Sequence, residues 1–489
     1  MQDSYQKFAR DVAAIGIANA LGALGGIILL PLITKTLGAH DYGLWAQVTV
    51  TITFAMCFVG LGLPFALNRF LAAAKNKEEI QDGFYSVLSI VSISTLIVSL
   101  LLILLAEPLA NAFFSGSLLV VRITGCIIFA YSLSLVCLNL FRSARQMKTY
   151  AIFTLADTYG QIGLIAYMVL NGHGLVGVVI SVLAVKLAIL LVAFLMVRAK
   201  IGFKIPRFSR MKEYLSFALP TIPTTMSDWM VSSSDRYVIT YFLGAVLVGI
   251  YSAAYSIGAI PLMLASILGL VMPPTLSKLY DEERMDEVKT HLTYSFKYVL
   301  IIVIPFVCGA AILSRQVLAL FSTGLIATQG YPIVPIVALA ASLACVSIPF
   351  DMILVLVKKT KITGMACAIA AITNLGLNLL IVPLWGILAA AITTLVAYTV
   401  MVSIVIYFAL KEFKFHIDWN PAAKSVIAAV IMSVVIWFMS PQNSWNTVVT
   451  VLVGAVVYGA GLFALKTFSR QEISFYKGVF GKSVSMRNK

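Results

Sequence analysis

Apolar residues run along this chain in long stretches parted by short polar punctuation. A helix rising about 1.5 Å per residue needs roughly 20 such residues to cross a hydrocarbon layer. Fourteen segments qualify, near 11–34, 43–68, 84–106, 118–141, 150–171, 174–197, 214–243, 246–276, 293–320, 330–357, 362–383, 386–410, 422–440 and 444–466. The eleventh and twelfth are separated only by Leu384 and Trp385 after Pro383. The pattern predicts an all-α integral membrane protein with about fourteen transmembrane helices.

Composition agrees. Charged residues are 11% of the chain, apolar residues 61%, and the mean hydropathy is +0.98. Soluble chains carry roughly 25% charged residues, so this sequence lacks the polar surface to cover a soluble core.

The net charge of +15 changes the picture only through its placement. Of the 35 basic residues, all but six fall in segments facing one side if the N-terminus is cytoplasmic. Lys35, Arg122 and Arg315 face the other side, while Lys186, Arg236 and Lys297 lie within or at the edge of spans. Such asymmetry is the signature of orientation, with positive loops inside. It puts both termini in the cytoplasm, and it removes nucleic acid as the reason for the charge. The outer loops, longest near 107–117 and 321–330, are too short to fold as a separate catalytic domain.

Cofactor chemistry finds no support. The six cysteines (Cys57, Cys126, Cys137, Cys308, Cys345 and Cys367) sit in apolar runs without CxxC spacing. The four histidines (His40, His173, His291 and His416) lie in loops or at span ends without metal-ligand spacing. Gly481-Lys482-Ser483 lacks the first glycine of a phosphate loop, because Tyr476 stands there, and no strand precedes it. No cofactor is expected beyond a coupling proton or sodium ion.

The ends of the first and seventh spans repeat each other. Ile33-Thr34 with Leu37-Gly38-Ala39 and Gly43 aligns with Ile239-Thr240, Leu243-Gly244-Ala245 and Gly249, followed by Leu44-Trp45 against Ile250-Tyr251. The offset is 206 residues and six spans, an even number, so the halves share one orientation. A parallel repeat about an axis along the membrane normal is the plan of rocking transporters. It predicts two six-helix lobes around a central cleft. Residues 1–198 form the N-terminal lobe, 199–213 a cytoplasmic linker and 214–411 the C-terminal lobe. Two extra spans follow in 412–466, then a cytoplasmic tail, 467–489.

Here the residues resemble a known family. Pro31-Leu32-Ile33-Thr34, Leu37-Gly38, Tyr42-Gly43, Ser234-Asp235-Arg236-Tyr237-Val238-Ile239, Leu243-Gly244 and Val248-Gly249-Ile250-Tyr251-Ser252-Ala253-Ala254-Tyr255 look like the polysaccharide-exporter, or O-antigen flippase, family. The resemblance implies the superfamily shared with multidrug-and-toxin extruders and lipid II flippases. It also implies a polyprenyl-diphosphate-linked oligosaccharide as cargo, membrane lipid as surroundings, and a glycan polymerase or glycosyltransferases as partners.

Ionisable groups within spans are costly and therefore candidates for function. On a helical wheel Thr221, Thr225, Asp228, Ser232 and Asp235 share one stripe, with Arg236 at its edge. A stripe this polar cannot face lipid; it forms a cleft wall or hydrogen-bonds to neighbouring helices. Asp228, near mid-span with no cation one turn away, is the expected ion-coupling group, with Asp157 in second place. Substrate contacts are expected from Lys186, Arg236, Ser232 and Thr225. Asp235 is a cleft residue, and it should not simply neutralise Arg236, because adjacent helical residues point about 100° apart. Lys186 can meet Asp157 only by reaching back roughly 8 Å in depth. Asp351 is read as a solvated cap near Lys358. Arg69, Arg142 and Arg145 form a cytoplasmic rim for headgroup entry. Pro220 and Pro223, at the base of the stripe, would make either a hinge or a fixed kink.

Together these features predict a lipid-linked oligosaccharide flippase working by alternating access, driven by an ion gradient or the membrane potential, and no enzyme. Extrusion of small cations and a non-transporting scaffold for glycan assembly are the alternatives. Lys186 and Arg236 favour an anionic cargo over a cation, and a scaffold has no need of the stripe.

Overall fold

The computed structural model describes residues 2–71, 74, 76–415 and 417–468, and every regular element among them is helical. Lys75, His416, the tail from 469 with Gly481-Lys482-Ser483, and the side chains of Lys7 and Arg10 lie outside the described residues. In chain order the helices are α1 (Gln2–Val59), α2 (Leu63–Phe70), α3 (Lys77–Leu104), α4 (Ala106–Phe113), α5 (Leu118–Ser143) and α6 (Met147–Leu170). Next come α7 (Gly174–Ile201), α8 (Met211–Ala218), α9 (Ile222–Leu243), α10 (Ala245–Gly258), α11 (Leu262–Asp281) and α12 (Met285–Phe321). The last are α13 (Gly324–Gly330), α14 (Ile333–Leu356), α15 (Thr360–Trp385), α16 (Ile387–Glu412), α17 (Trp419–Met439) and α18 (Ser444–Ala464). Only helices satisfy their own backbone in lipid without a closed sheet, so the architecture follows from the hydropathy.

Among the described residues twelve helices are long and apolar enough to cross a membrane. The other two expected spans have physical explanations. Gly38, at φ 81° and ψ −175°, divides α1 into two arms, a conformation that only glycine adopts without strain. Gly244, its partner in the repeat, has φ 85° and ψ 175° between α9 and α10. The other case is α9, whose polar stripe lowers its hydropathy, although its 22 residues reach about 33 Å. Three spans expected as single helices are broken, the first between α1 and α2, where Gly62 has φ 68°. A 3₁₀ turn at Leu219–Thr221 carrying Pro220 separates α8 from α9, and Pro261 stands between α10 and α11. Proline lacks the donor that would continue each helix.

The repeat reappears in the packing. Helix α5 packs on α7 as α14 packs on α16; α6 on α7 as α15 on α16; α3 on α5 as α12 on α14; and α1 on α6 as α9 on α15. Helices α17 and α18 pack on each other and on α12, outside this scheme. Across the seam between halves, α1 meets α10 and α9. There a Cβ on Gly43 would lie 1.9 Å from the carbonyl oxygen of Ala245, and one on Gly249 would lie 2.0 Å from that of Ala39. These four residues are two repeat-related pairs, so each half presents the same small residues to the other's backbone.

The rest of the seam is polar. Thr34 and Lys35 donate to the carbonyls of Phe321 and Leu320 at the end of α12, at 3.1 and 2.7 Å. Deeper in, Thr240 donates to Gln47 at 3.1 Å, Thr51 and Tyr237 share a hydrogen bond of 2.7 Å, and Trp229 Nε1 donates to Thr53 at 3.1 Å. At the far end α8 crosses onto α2. Tyr214 stacks on Phe70 with centroids 4.7 Å apart. The segment leading into α8 is fastened to α3 by Asp82, which accepts from the Arg207 N–H at 2.6 Å and from Ser209 Oγ.

Candidate functional site

Two cavities lie along this seam. The rim cavity, of about 330 Å³, is bounded by α1 and α2, by Asn139 and Arg142 of α5, by Tyr150 of α6, and by Thr221 and Thr225. The deep cavity, of about 370 Å³, lies towards the Gly43–Gly249 contact and is lined by Tyr42, Trp45, Thr49, Ser233, Arg236, Ser252 and Ser256. Thr53 lines both. Its hydroxyl is the acceptor for Trp229 Nε1, and the Trp229 ring lies 4.6 Å from that of Phe54.

Among the rim residues, Arg142 lines the first cavity, and its exposed side chain has no ion-pair or hydrogen-bond partner among the described residues. Asn68 donates to Asn139 at 3.0 Å nearby, leaving its own carbonyl oxygen buried and without a partner. Arg69 lies 4.6 Å from the Phe217 ring centroid of α8. Arg145, exposed at the end of α5 with φ 55°, lines neither cavity.

The polar stripe of α9 divides among different neighbours. Thr225 faces the rim cavity while its hydroxyl returns to the Ile222 carbonyl at 3.0 Å. Ser232 Oγ lies 3.3 Å from both the Trp229 carbonyl and Ser233 Oγ. Asp228 turns to α15, where Cys367 Sγ donates to it at 2.8 Å. Among the described residues no cation pairs with it.

Asp235 and Arg236 do neutralise each other, contrary to the wheel. Arg236 Nη1 lies 3.0 Å from Asp235 Oδ1, its backbone N–H donates to the same oxygen at 2.8 Å, and Tyr251 donates to Oδ2. A wheel places Cα–Cβ bonds, but arginine's long arm bends back along the helix, where Nη1 also meets the Ser232 carbonyl at 2.7 Å. The guanidinium stands 4.3 Å from the Tyr255 ring centroid, a cation–π contact in a desolvated place. Asp235 is fully buried.

Lys186 reaches Asp157 after all. Its Nζ lies 2.6 Å from Oδ2 and 4.0 Å from the Tyr131 ring centroid. Both cavities are lined without it. Asp351 is half-buried rather than a solvated cap: Ser347 and Thr363 donate to it at 2.9 and 3.3 Å.

A search for ionisable groups missed the neutral polar residues. Asn374 and Asn378, one turn apart on α15, hydrogen-bond at 3.0 Å and reach Thr394 and Thr393 of α16, with Ser234 of α9 joining at 3.4 Å. The i, i+4 pair of asparagines in an apolar run was the available signal. Trp45, Trp229 and Gln47 gave none. Among the described residues no three His, Cys, Asp or Glu side chains converge as a metal site.

Comparison with known proteins brings in a family. Residues 8–280 match the model described as polysaccharide biosynthesis protein, and residues 220–380 match that described as MatE. The probable flippase AglR of Haloferax volcanii is 24% identical over 246 residues, 49% of this chain and 51% of its own. That match therefore spans about half the relative's length. The probable low-salt glycan biosynthesis flippase Agl15 of the same organism is 19% identical over 469 residues, 95% of this chain and 96% of its own. Among solved structures, the lipid II flippase MurJ in an inward closed conformation superposes with a TM-score of 0.72 at 17% identity, over 93% of this chain and 98% of that one. An inward-facing multidrug resistance transporter of the MATE family and the MOP superfamily gives 0.66 at 15%, over 80% and 94%. At these identities the two structures speak for the fold alone, an all-α helical bundle of membrane-crossing length.

Proposed function

Since this chain belongs to the polysaccharide biosynthesis protein family, we propose that it is a flippase for polyprenyl-diphosphate-linked oligosaccharide. The observation that carries this reading is the polar seam, where a rim cavity lined by Arg142 shares Thr53 with a second cavity between the halves. Arg142 offers a fork of donors to the diphosphate. The sugars precede it into the cleft and the polyprenyl tail stays in lipid.

The chain lies in the cytoplasmic membrane with both termini inside, and the headgroup moves outward by alternating access. The halves part at the Gly43–Gly249 contact when the other end closes. Asp228 and Asp351, which lack a cationic partner among the described residues, bind and release the coupling proton or sodium ion. A glycan polymerase or glycosyltransferases act on either side of this step. Those same acids, with the MatE match over residues 220–380, favour cation extrusion as the second reading.

Reconstitution separates the two. Vesicles containing the purified protein are loaded with a fluorescent polyprenyl-diphosphate oligosaccharide, and its accessibility to an impermeant quencher is followed. Protein-dependent translocation, lost in Arg142→Ala, is expected. Expulsion of a cationic dye without movement of the lipid-linked sugar would refute the flippase reading in favour of the extruder.

A further inference from the structure

The linker between the halves does not turn polar where it leaves α7. Helix α7 exposes Leu191, Val192, Leu195 and Met196, as a lipid-facing span does, and then Arg198 and Lys200. Beyond them large apolar side chains return: Phe203 is 66% exposed, Ile205 76% and Phe208 44%. A cluster of this kind marks an interaction surface. Polar contacts from α3 hold it outward. Glu78, Gln81, Asp82 and Tyr85 share one helical face, at spacings of three and four residues, and each grips the linker. Glu78 pairs with Lys204 at 3.1 Å, and Gln81 donates to the Ile201 carbonyl. Tyr85 donates to the Gly202 carbonyl at 2.7 Å, and Asp82 accepts from the Arg207 N–H at 2.6 Å. Exposure then alternates, with Phe203, Ile205 and Arg207 exposed and Lys204 and Pro206 half-buried, the two-residue period of an extended segment. Lys204 and Arg210 are paired with Glu78 and Glu213, which leaves Arg198, Lys200, Arg207 and Lys212 without an ion pair among the described residues.

We propose that the linker docks on an anionic lipid surface, with Phe203, Ile205 and Phe208 seated among the acyl chains and the four unpaired cations on the lipid phosphates. The inference does not depend on what the cleft carries. Cations alone would suit any polyanion, but interleaved aromatic and aliphatic side chains need hydrocarbon directly beneath the charge, and a membrane with acidic headgroups supplies both. The height is right as well. Phe203 lies two residues beyond Ile201, the last residue of a helix long enough to cross a membrane, so its ring is at the level of the headgroups. Positive charge serving orientation alone would need no apolar partners. The linker continues into α8, whose Tyr214 stacks on Phe70 of α2 at 4.7 Å. Anionic lipid held at the linker therefore braces the connection between the halves from the membrane side.

The test places a nitroxide on Ile205→Cys, in a chain lacking the six native cysteines, with one copy reconstituted per lipid nanodisc. Discs of phosphatidylcholine alone are compared with discs in which one lipid in three is phosphatidylglycerol. Relaxation by a water-soluble agent reports how far the label is open to water. In the mixed discs the label is expected to be at least threefold less open to the agent than in phosphatidylcholine. High salt, which screens the phosphates, should remove most of that difference. Lys200→Glu combined with Arg207→Glu should also remove it, with an unchanged thermal midpoint, because neither side chain has a partner to lose among the described residues. Phe203→Cys provides a second label position should Ile205→Cys fail to fold. A single copy per disc means that shielding cannot come from a second chain. A label equally open to water in both discs, or equally shielded in both, would overturn the proposal. So would a difference that survives in the doubly substituted protein.

Discussion

In the N-terminal half, Lys186 and Asp157 meet at 2.6 Å with the Tyr131 ring beside the ammonium. In the C-terminal half, the side-chain donors to Asp228 and Asp351 among the described residues are Cys367, Ser347 and Thr363. The two halves share one packing scheme, so the contrast lies in the side chains and not in the backbone. A paired charge inside a membrane fixes the helices that carry it. An unpaired carboxyl leaves a place for a mobile cation, and binding there can favour one arrangement of the halves over another. On the proposed mechanism the unpaired carboxyls of the C-terminal half are where an ion would act.

The largest effect expected from breaking this contrast is on stability in the N-terminal half. Lys186→Met leaves Asp157 without its cation in a mostly buried place, a loss of about 3 kcal/mol for such pairs. Combining it with Asp157→Asn should recover most of the loss. Thermal unfolding of the detergent-purified variants would show it; a double variant no more stable than the single one would mean the pair is not what holds α6 to α7.

Asp228→Asn should do the reverse. Its carboxylate has no charge partner to lose, so the unfolding midpoint should hold within experimental scatter. Accumulation of cargo driven by an imposed ion gradient should vanish, while equilibrium binding persists. If the variant concentrates cargo as wild type does, Asp228 is not the coupling group and Asp351 is the next to replace.

The smallest effect belongs to the rim. Arg69 is exposed, and its cation–π contact with Phe217 is worth roughly 0.5–1 kcal/mol. Arg69→Ala should therefore lower the midpoint only slightly, and translocation should fall far less than in Arg142→Ala. Equal losses in both variants would make the whole rim, and not Arg142, the entry site.

Much of this organisation was legible in the sequence, because the backbone itself demands particular residues. Gly38 and Gly244 have the same φ/ψ, and Gly43 and Gly249 lie against each other's repeat-related carbonyls, so the duplication survives where no other side chain fits. The hydropathy marked fourteen spans for a related reason: a membrane leaves the backbone few alternatives. What stayed hidden depends on side-chain reach and on contacts distant in sequence. The fold of Arg236 back onto Asp235 is a rotamer, which no helical wheel contains. The Thr53–Trp229 bond joins residues in different halves, and nothing in either local sequence marks it. The breaks at Pro220 and Pro261 were visible as prolines, but their neighbours decide whether a proline bends a helix or ends it.

On the proposed mechanism the halves separate at their repeat-related contact during each cycle. Gln47 and Thr240, hydrogen-bonded across that seam at 3.1 Å, give a direct way to test it. In a background lacking the six native cysteines, Gln47→Cys and Thr240→Cys would be bridged by a short, cleavable bifunctional thiol reagent. Translocation of the lipid-linked oligosaccharide would then be measured in vesicles before and after cleavage. The bridged protein is expected to bind cargo still but move none, and cleavage to restore the rate. Full-rate translocation with the bridge intact would contradict that mechanism.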